Sequence, residues 1–437
     1  MFRNLVKKLI PHRLFEVIEP YGHLFEAVLA NIRYSFPARG LKVIGVTGTN
    51  GKTTTATMIY TMLNDAGVKT GLITTIGYGT PGEWHDNKVH MTSTKSFTTM
   101  RRIKELRAQK IDWLVLEVTS HALAQNRVWG VPYSIAVITN VTHEHLDYHK
   151  TFDRYLAAKL KLFKLTNMNK QGLQTGIINA DDPSVEIFAK SIRRPVCYGI
   201  KTGDFRAVKI EAKPSGNQID LAVTRVGSIE HYKAKTKLVG RFNVSNALAA
   251  AAVGDAVGLS TKQIQHGLEA LEAVEGRMNA LHEGQDFSVI VDFAHTPDSF
   301  EQILSQSAES KSGHLIVVFG SAGRRDESKR AIQGQIAGKY AHLVVVTEED
   351  DRDIDGELIL NQIAQGAETE GMVRNRDLYL IHDRTEAIIF AINHAQTGDT
   401  VLLLGKGHEK TIEGPTGERP WNETEVARQA LRTRLKK

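Results

Sequence analysis

Residues 43–55 read VIGVTGTNGKTTT, and the meaning of this stretch decides the fold. An apolar, β-rich run breaks into glycines, and a Lys-Thr pair follows. The usual phosphate-binding loop is G-x-x-x-x-G-K-[ST]. Counting back from Gly51, Lys52 and Thr53 puts its first glycine at position 46, where this chain has Val46; the glycines fall at Gly45, Gly48 and Gly51. In such a loop, backbone N–H groups and a helix N-terminus hold phosphates, the lysine neutralises charge and the Thr hydroxyl binds Mg²⁺. Those roles would fall on Gly48, Thr49, Asn50, Gly51, Lys52 and Thr53. A glycine cluster alone is weak evidence. A cluster between a strand and a helix is strong evidence.

That context is present. LKVIGVTGT (41–49) reads as a strand, and TTTATMIYTMLNDAG as a helix ending at Gly67. VKTGLITTIG, IDWLVLEVTS (111–120) and SIAVITNV (134–141) are further strand candidates with helical stretches between them. The alternation predicts a P-loop-type, doubly wound α/β domain over 41–278. Residues 205–239 alternate strands with Gly/Ser turns and predict a small antiparallel insert within it. A second, Rossmann-like α/β domain is predicted over 279–437, from FSVIVDFAH, GHLIVVFGSAG, AHLVVVTEED, LYLIHD and DTVLLLGKG. Residues 1–40 form an N-terminal arm. Its start, MFRNLVKKLIPHR, sets Phe2, Leu5, Val6, Leu9 and Ile10 at helical spacing, with Arg3, Lys7, Lys8 and Arg13 off that stripe. Two readings of residues 1–13 stay open: a helix docked on protein, and a peripheral contact with an anionic membrane.

Composition narrows the function. One cysteine, Cys197, excludes a disulfide framework and a CxxC metal site, and fits a reducing compartment. No apolar run approaches a membrane span. A net charge of +6 on 437 residues suits phosphorylated substrates and is too weak to argue for nucleic acid.

Other residues could serve the loop. Glu117 ends the strand in LVLEVTSHAL, a position from which a carboxylate can hold Mg²⁺; an exposed charge at a strand end is the alternative. TNVTHEHLDYHK carries His143, His145 and His149, and spacing alone does not choose a ligand among them. In TFDRYLAAKLKLF, Thr151 is a predicted N-cap, and Phe152, Tyr155, Leu156, Lys159 and Phe163 share one helix face. A lysine on that stripe reads first as one whose stem lies on the core while its amine reaches water. The sharper reading is a buried amine of lowered pKa that takes up CO₂ as a carbamate, an anionic oxygen ligand for Mg²⁺.

Together these pieces resemble the Mur ligase family, the ATP-dependent amide-forming enzymes of peptidoglycan assembly. That family's loop reads GT-x-GK-[ST], as in GTNGKT at 48–53, so the altered spacing matches a family variant. LEVTSHAL, TNVTHEHLDYH, YLAAKLKLF, GRFNVSNALAA, EGRM, VDFAHTPDS, Lys329-Arg330 and GKGHE (405–409) resemble the subgroup that adds the third residue to UDP-N-acetylmuramoyl-L-alanyl-D-glutamate. The resemblance implies roles. Lys52 and Thr53 serve ATP and one Mg²⁺; Glu117, His145 and carbamylated Lys159 serve a second. Asn243 and Asn246 lie near adenine, and Arg277, Asp292 and His295 near ribose and phosphates. Thr92, Ser93, Ser120 and Arg127 contact the muramoyl-peptide; Arg330, Arg352, Gly405 and Glu409 contact the incoming amino acid. A cytoplasmic monomer, with or without contact at the inner face of the plasma membrane, is expected.

Three features depart from the family pattern. The family usually carries an N-terminal UDP-holding domain of roughly a hundred residues, and about 40 residues precede the loop here, too few for one. This keeps open a related ligase with a lipid-linked or polyglutamate acceptor. The diaminopimelate-adding subgroup reads D-N-P-R where this chain has EDDR at 349–352. The retained Arg352 could pair with a second carboxylate, which meso-diaminopimelate has and L-lysine lacks, so diaminopimelate is favoured. Arg324 stands where the subgroup more often has an acid. A non-catalytic nucleotide-binding scaffold would have no need of Glu117, His145 and Lys159.

Overall fold

Strand β1 (Lys42–Thr47) is buried from Val43 to Thr47, because strands pair with it on both sides and helices cover both faces. The computed structural model describes residues 12–87, 92–142, 144–213, 216–225, 227–310 and 313–436. The chain divides into two compact units, Met1–Glu272 and Ala273–Lys437.

In the first unit the chain runs through α1 (His12–Arg33), β1, α2 (Lys52–Asp65), β2 (Thr70–Ile73), β3 (Gly77–Thr80), β4 (Glu83–Asp86), α3 (Ser96–Ala108) and β5 (Trp113–Glu117). It continues through α4 (Ser120–Ala124), β6 (Tyr133–Ile138), α5 (Leu146–His149), α6 (Phe152–Met168), β7 (Thr175–Asn179), α7 (Val185–Lys190) and β8 (Arg194–Gly199). Then come β9 (Phe205–Lys213), β10 (Gly216–Arg225), β11 (Ser228–Thr236), α8 (Arg241–Val257) and α9 (Thr261–Ala270). All eleven strands form one sheet, in the order β11-β10-β9-β8-β7-β6-β1-β5-β2-β3-β4. Strands β2, β5, β1, β6, β7, β8 and β9 run parallel, and both edges finish in antiparallel hairpins. The antiparallel segment near 205–239 therefore extends the central sheet, since β9 pairs in parallel with β8. The β3–β4 hairpin is absent from the sequence reading; two of its strand residues are glycines, which carry no β signal.

Helix α1 packs on α3 through a face that buries Ala27, Ala30 and Asn31. Asn31 donates to Ala27 O at 2.9 Å and Trp129 O at 3.0 Å, which fixes the helix to the loop after α4. Most of the basic segment expected over residues 1–13 lies outside the described residues.

The second unit contains β12 (Asn279–Leu281), β13 (Ser288–Asp292), α10 (Pro297–Ser310), β14 (Leu315–Phe319), α11 (Ser328–Tyr340), β15 (Leu343–Val346), α12 (Gly356–Glu368), β16 (Leu378–Leu380), α13 (Arg384–His394) and β17 (Thr400–Leu404). The hairpin β18 (Thr411–Gly414) and β19 (Gly417–Pro420) and helix α14 (Glu423–Leu435) complete it. Its sheet order is β12-β13-β17-β14-β15-β16, parallel except for β12. Arg384 is fully buried here and binds Glu423 and the carbonyls of Glu348 and Leu404, so this internal ion pair has its hydrogen bonds met.

Candidate active site

The loop after β1 is shaped by two glycines. Gly48 has φ 150° and Gly51 has φ 80°. A Cβ on Gly48 would stand 1.8 Å from Thr139 Oγ1, and one on Gly51 would stand 2.5 Å from Asn246 Oδ1. Backbone conformation and close approach thus both demand glycine. The loop is tied to the end of β6: Asn50 N donates to Asn140 Oδ1 at 2.9 Å, and Thr139 Oγ1 donates to Asn50 O at 2.6 Å. Lys52 donates to Thr49 O at 2.6 Å, folded over its own loop. Gly51 is the N-cap of α2, so the loop delivers its backbone to a helix N-terminus.

Glu117 ends β5 beside the start of α2 and is 2 % exposed. Its carboxylate accepts from Thr53 Oγ1 at 3.0 and 3.1 Å, and from Thr75 N and Oγ1 at 3.0 Å each. Among the described residues no cationic side chain pairs with it. A buried carboxylate surrounded by hydroxyls is an oxygen donor set suited to Mg²⁺. Thr75 escaped the sequence reading: nothing in VKTGLITTIG marks it, and only the sheet brings it to Glu117.

Lys159 lies on the other side of the loop. Its amine donates to Gly48 O at 2.5 Å and sits 4.3 Å from the centroid of the Tyr155 ring. The residue is 1 % exposed, which corrects the reading of an amine reaching water. Burial pushes its pKa well below the ordinary value, the nearby charge of Lys52 adds to that, and Glu144 and Asp182 oppose it. No carboxylate pairs with it among the described residues. The site therefore favours a neutral amine, the form that reacts with CO₂. Tyr155 hydrogen-bonds Thr49 Oγ1 at 2.9 Å and so joins this helix to the loop. His145 has φ 57° and stands against His121 and Tyr155, with Glu144 at 3.6 Å. His149 is buried and bonds Ser120 Oγ at 3.0 Å. His143 lies outside the described residues.

The residues expected at the muramoyl-peptide gather near Glu117. Thr75 Oγ1 donates to Thr92 Oγ1 at 3.0 Å. Ser93 Oγ accepts from Thr119 N at 3.0 Å, and Arg127 donates to Ser93 O at 2.5 Å. Ser120 opens α4, beside Thr119. Asn243 and Asn246 occupy the first turns of α8, but their side chains are engaged inside the protein. Asn246 Oδ1 accepts from Thr55 Oγ1 at 3.1 Å, Asn246 Nδ2 donates to Asn243 Oδ1 at 3.0 Å, and Asn243 Nδ2 donates to Val239 O at 2.7 Å. This chain of bonds braces Gly51 from behind.

In the second unit, Asp292 ends β13 and accepts from Met278 N and Ala294 N at 2.7 Å each; burial raises its pKa against the pull of Arg277. Arg277, His295 and His408 all pack on Phe293. A second cluster holds Gly405, Glu409 and Arg352. Lys406 is fully buried, donating to Glu409 at 2.6 Å and Asp350 at 2.9 Å. Arg352 has φ 59° and donates to Glu413 at 2.8 Å and Gly323 O at 2.6 Å. Glu349 is buried with its pKa raised by that burial, and among the described residues its Oε2 accepts no hydrogen bond. Lys406 was legible within GKGHE and was missed. Arg330 departs from expectation: it is fully buried, bonded to Gln362 Oε1 at 2.6 Å, and joins α11 to α12. Arg324 pairs with Asp353, which accounts for a basic residue at that position.

Residues 46–254 match the family described as Mur ligase middle domain, and 276–407 the family described as Mur ligase, glutamate ligase domain. The UDP-N-acetylmuramyl-tripeptide synthetase of Deinococcus radiodurans is 41% identical over 403 residues, covering 91% of this chain and 79% of that protein. The UDP-N-acetylmuramoyl-L-alanyl-D-glutamate–2,6-diaminopimelate ligase of Bacillus licheniformis is 39% identical, covering 93% and 81%. A solved diaminopimelate ligase of the same description superposes with TM-score 0.65 at 27% identity, covering 96% of this chain and 83% of that one. A folylpolyglutamate synthase of Mycobacterium tuberculosis superposes with TM-score 0.68 at 17% identity, a likeness of fold alone.

Proposed function

We propose a reaction from one premise: the chain belongs to the Mur ligase family. It joins a third amino acid to UDP-N-acetylmuramoyl-L-alanyl-D-glutamate with consumption of ATP, and takes meso-diaminopimelate over L-lysine. The observation that carries this reading is buried Glu117, held by the Thr53 hydroxyl at the start of α2 with no cationic side chain paired to it among the described residues. The identity with diaminopimelate ligases over most of the chain supports the substrate.

A carboxylate is a poor electrophile. Its attack on the γ-phosphate of ATP expels ADP and leaves an acyl phosphate, a good one. The amine then attacks that carbonyl, loses a proton and expels phosphate. Gly48 to Lys52 hold the ATP phosphates through backbone N–H groups and the Lys52 charge. Thr53, Glu117, His145 and carbamylated Lys159 would hold two Mg²⁺ ions. Bound Mg²⁺ offsets the charge gathered where an anionic carboxylate meets ATP. Thr92, Ser93, Ser120 and Arg127 hold the acceptor. Arg277, Asp292 and His295 serve the nucleotide. Arg352, Gly405 and Glu409 hold the amino acid, with Arg352 facing a carboxylate while Glu349 and Glu409 favour an ammonium. Asn243 and Asn246 act by bracing the loop, and Arg330 by fixing α11. The enzyme works as a cytoplasmic monomer, where ATP and a UDP-linked peptide are at hand.

Phosphate release from ATP and Mg²⁺ tests the reading, with the UDP-linked dipeptide as acceptor and diaminopimelate or L-lysine in parallel. Turnover confined to diaminopimelate supports it in full, and turnover with L-lysine alone removes the role given to Arg352. Silence with both, from folded protein that binds ATP, overturns the acceptor assignment.

A further inference from the structure

Helix α1 buries one face on α3 and leaves a second apolar face uncovered. Ile18, Tyr21, Phe25, Leu29 and Ile32 recur at three- and four-residue spacing and fall within about 100° of the helix circumference. Tyr21 is 69% exposed, Phe25 65% and Ile32 58%, and no charged residue falls between them on that stripe. The face that packs on the protein is a different one, carrying Ala27, Ala30 and Asn31, so the stripe is not needed to hold α1 in place.

We propose that this stripe docks α1 on an anionic lipid surface. The charges around it support that occupant. Four basic residues, Arg3, Lys7, Lys8 and Arg13, and no acid precede Glu16, so the chain enters the stripe from a strongly basic segment. Arg33 and Arg39 are exposed at its far end. The described acids on the helix lie off the stripe: Glu19 and Glu26 flank His23, at 3.9 and 3.6 Å. An exposed apolar and aromatic stripe that follows a basic segment in the sequence, with Glu19 and Glu26 off the stripe, gives the pattern of an interfacial helix. A second copy of the chain fits less well. The stripe is about 20 Å long and one helix face wide, a few hundred Å². A standard protein interface needs roughly 800 Å² from each partner.

The inference stands apart from the ligase reading and is tested without activity. The full chain is sedimented with vesicles of phosphatidylcholine, alone and with phosphatidylglycerol added, at low and high salt. Binding is expected to the anionic vesicles only, and to fall about tenfold or more at high salt. The double variant Tyr21→Ser/Phe25→Ser is expected to lose about tenfold or more, and so is Arg3→Glu/Lys7→Glu/Lys8→Glu. All the altered described positions are exposed, and an unchanged melting temperature confirms folding. Absence of binding to anionic vesicles overturns the proposal, as does equal binding by the Tyr21/Phe25 variant. A concentration-dependent dimer that this variant abolishes also overturns it, and assigns the stripe to a second copy.

Discussion

Lys159 is the residue whose environment says most about chemistry. Removing water from an ammonium without supplying a carboxylate favours the neutral amine. This has a consequence for stability. Between its lowered folded value and the ordinary 10.5, the unfolded chain holds a proton that the folded chain lacks. Unfolding free energy therefore rises with pH across that window, and below it both states are protonated and the contribution stays at its least favourable. In CO₂-free buffer, urea titrations at several pH values should show this rise in the native chain and its loss in Lys159→Met. The same substitution should lower ligase turnover on the order of 10²–10³-fold, the scale of removing one electrostatic partner from an active site. Native protein in CO₂-depleted buffer should lose activity that bicarbonate restores. Restoration in Lys159→Met as well would remove the carbamate from the account.

Elements position these residues, and two side chains show how. Asn246 on α8 lies behind Gly51, bonded to Thr55 and Asn243. Asn246→Ala would strand the Thr55 hydroxyl and open space behind the loop, at a cost of about 1–3 kcal/mol. The expected result is a KM for ATP raised about tenfold with kcat changed less; an unchanged KM with a lower melting temperature would make Asn246 a packing residue only. Arg330 gives the opposite expectation. Arg330→Met should lower stability by about 1–3 kcal/mol, because the Gln362 amide oxygen loses its hydrogen-bond partner. The KM for the amino acid should stay unchanged in the folded fraction. A large KM effect at unchanged stability would return Arg330 to the substrate.

The strands around the loop were legible because parallel strands buried on both faces are continuous apolar runs, as in VIGVT, LVLE and IAVI. Glu117 was legible because it ends such a run; Lys159 stood out by interrupting an apolar helix face, but that pattern reads first as an amine reaching water and did not give its burial. Thr75, Tyr155 and the bracing role of Asn246 were not. Their meaning comes from contacts across 42, 106 and 191 residues of chain, and no local pattern encodes those. The burial of Arg330 was hidden for the same reason: a Lys-Arg pair reads as surface until a second helix is known to cover it.

At the scale of the whole molecule, each unit closes its own sheet and its own core. In the second, Leu281, Val289, Val291, Val318, Leu403 and Leu431 belong to one buried cluster, and all six strands of the main sheet lie within Ala273–Lys437. The Arg384–Glu423 pair also closes inside this unit, binding α13 to the start of α14. A chain of this size that pairs every strand internally buries enough surface to fold by itself. Ala273–Lys437 expressed alone should therefore unfold in one cooperative transition in urea, with matching midpoints by fluorescence and far-ultraviolet circular dichroism. Arg384→Met in the same fragment should shift that midpoint downward, since it leaves Glu423 charged and buried without its partner. Non-coincident midpoints, or a fragment that binds hydrophobic dyes and lacks near-ultraviolet dichroism, would show that this core is completed by residues before 273.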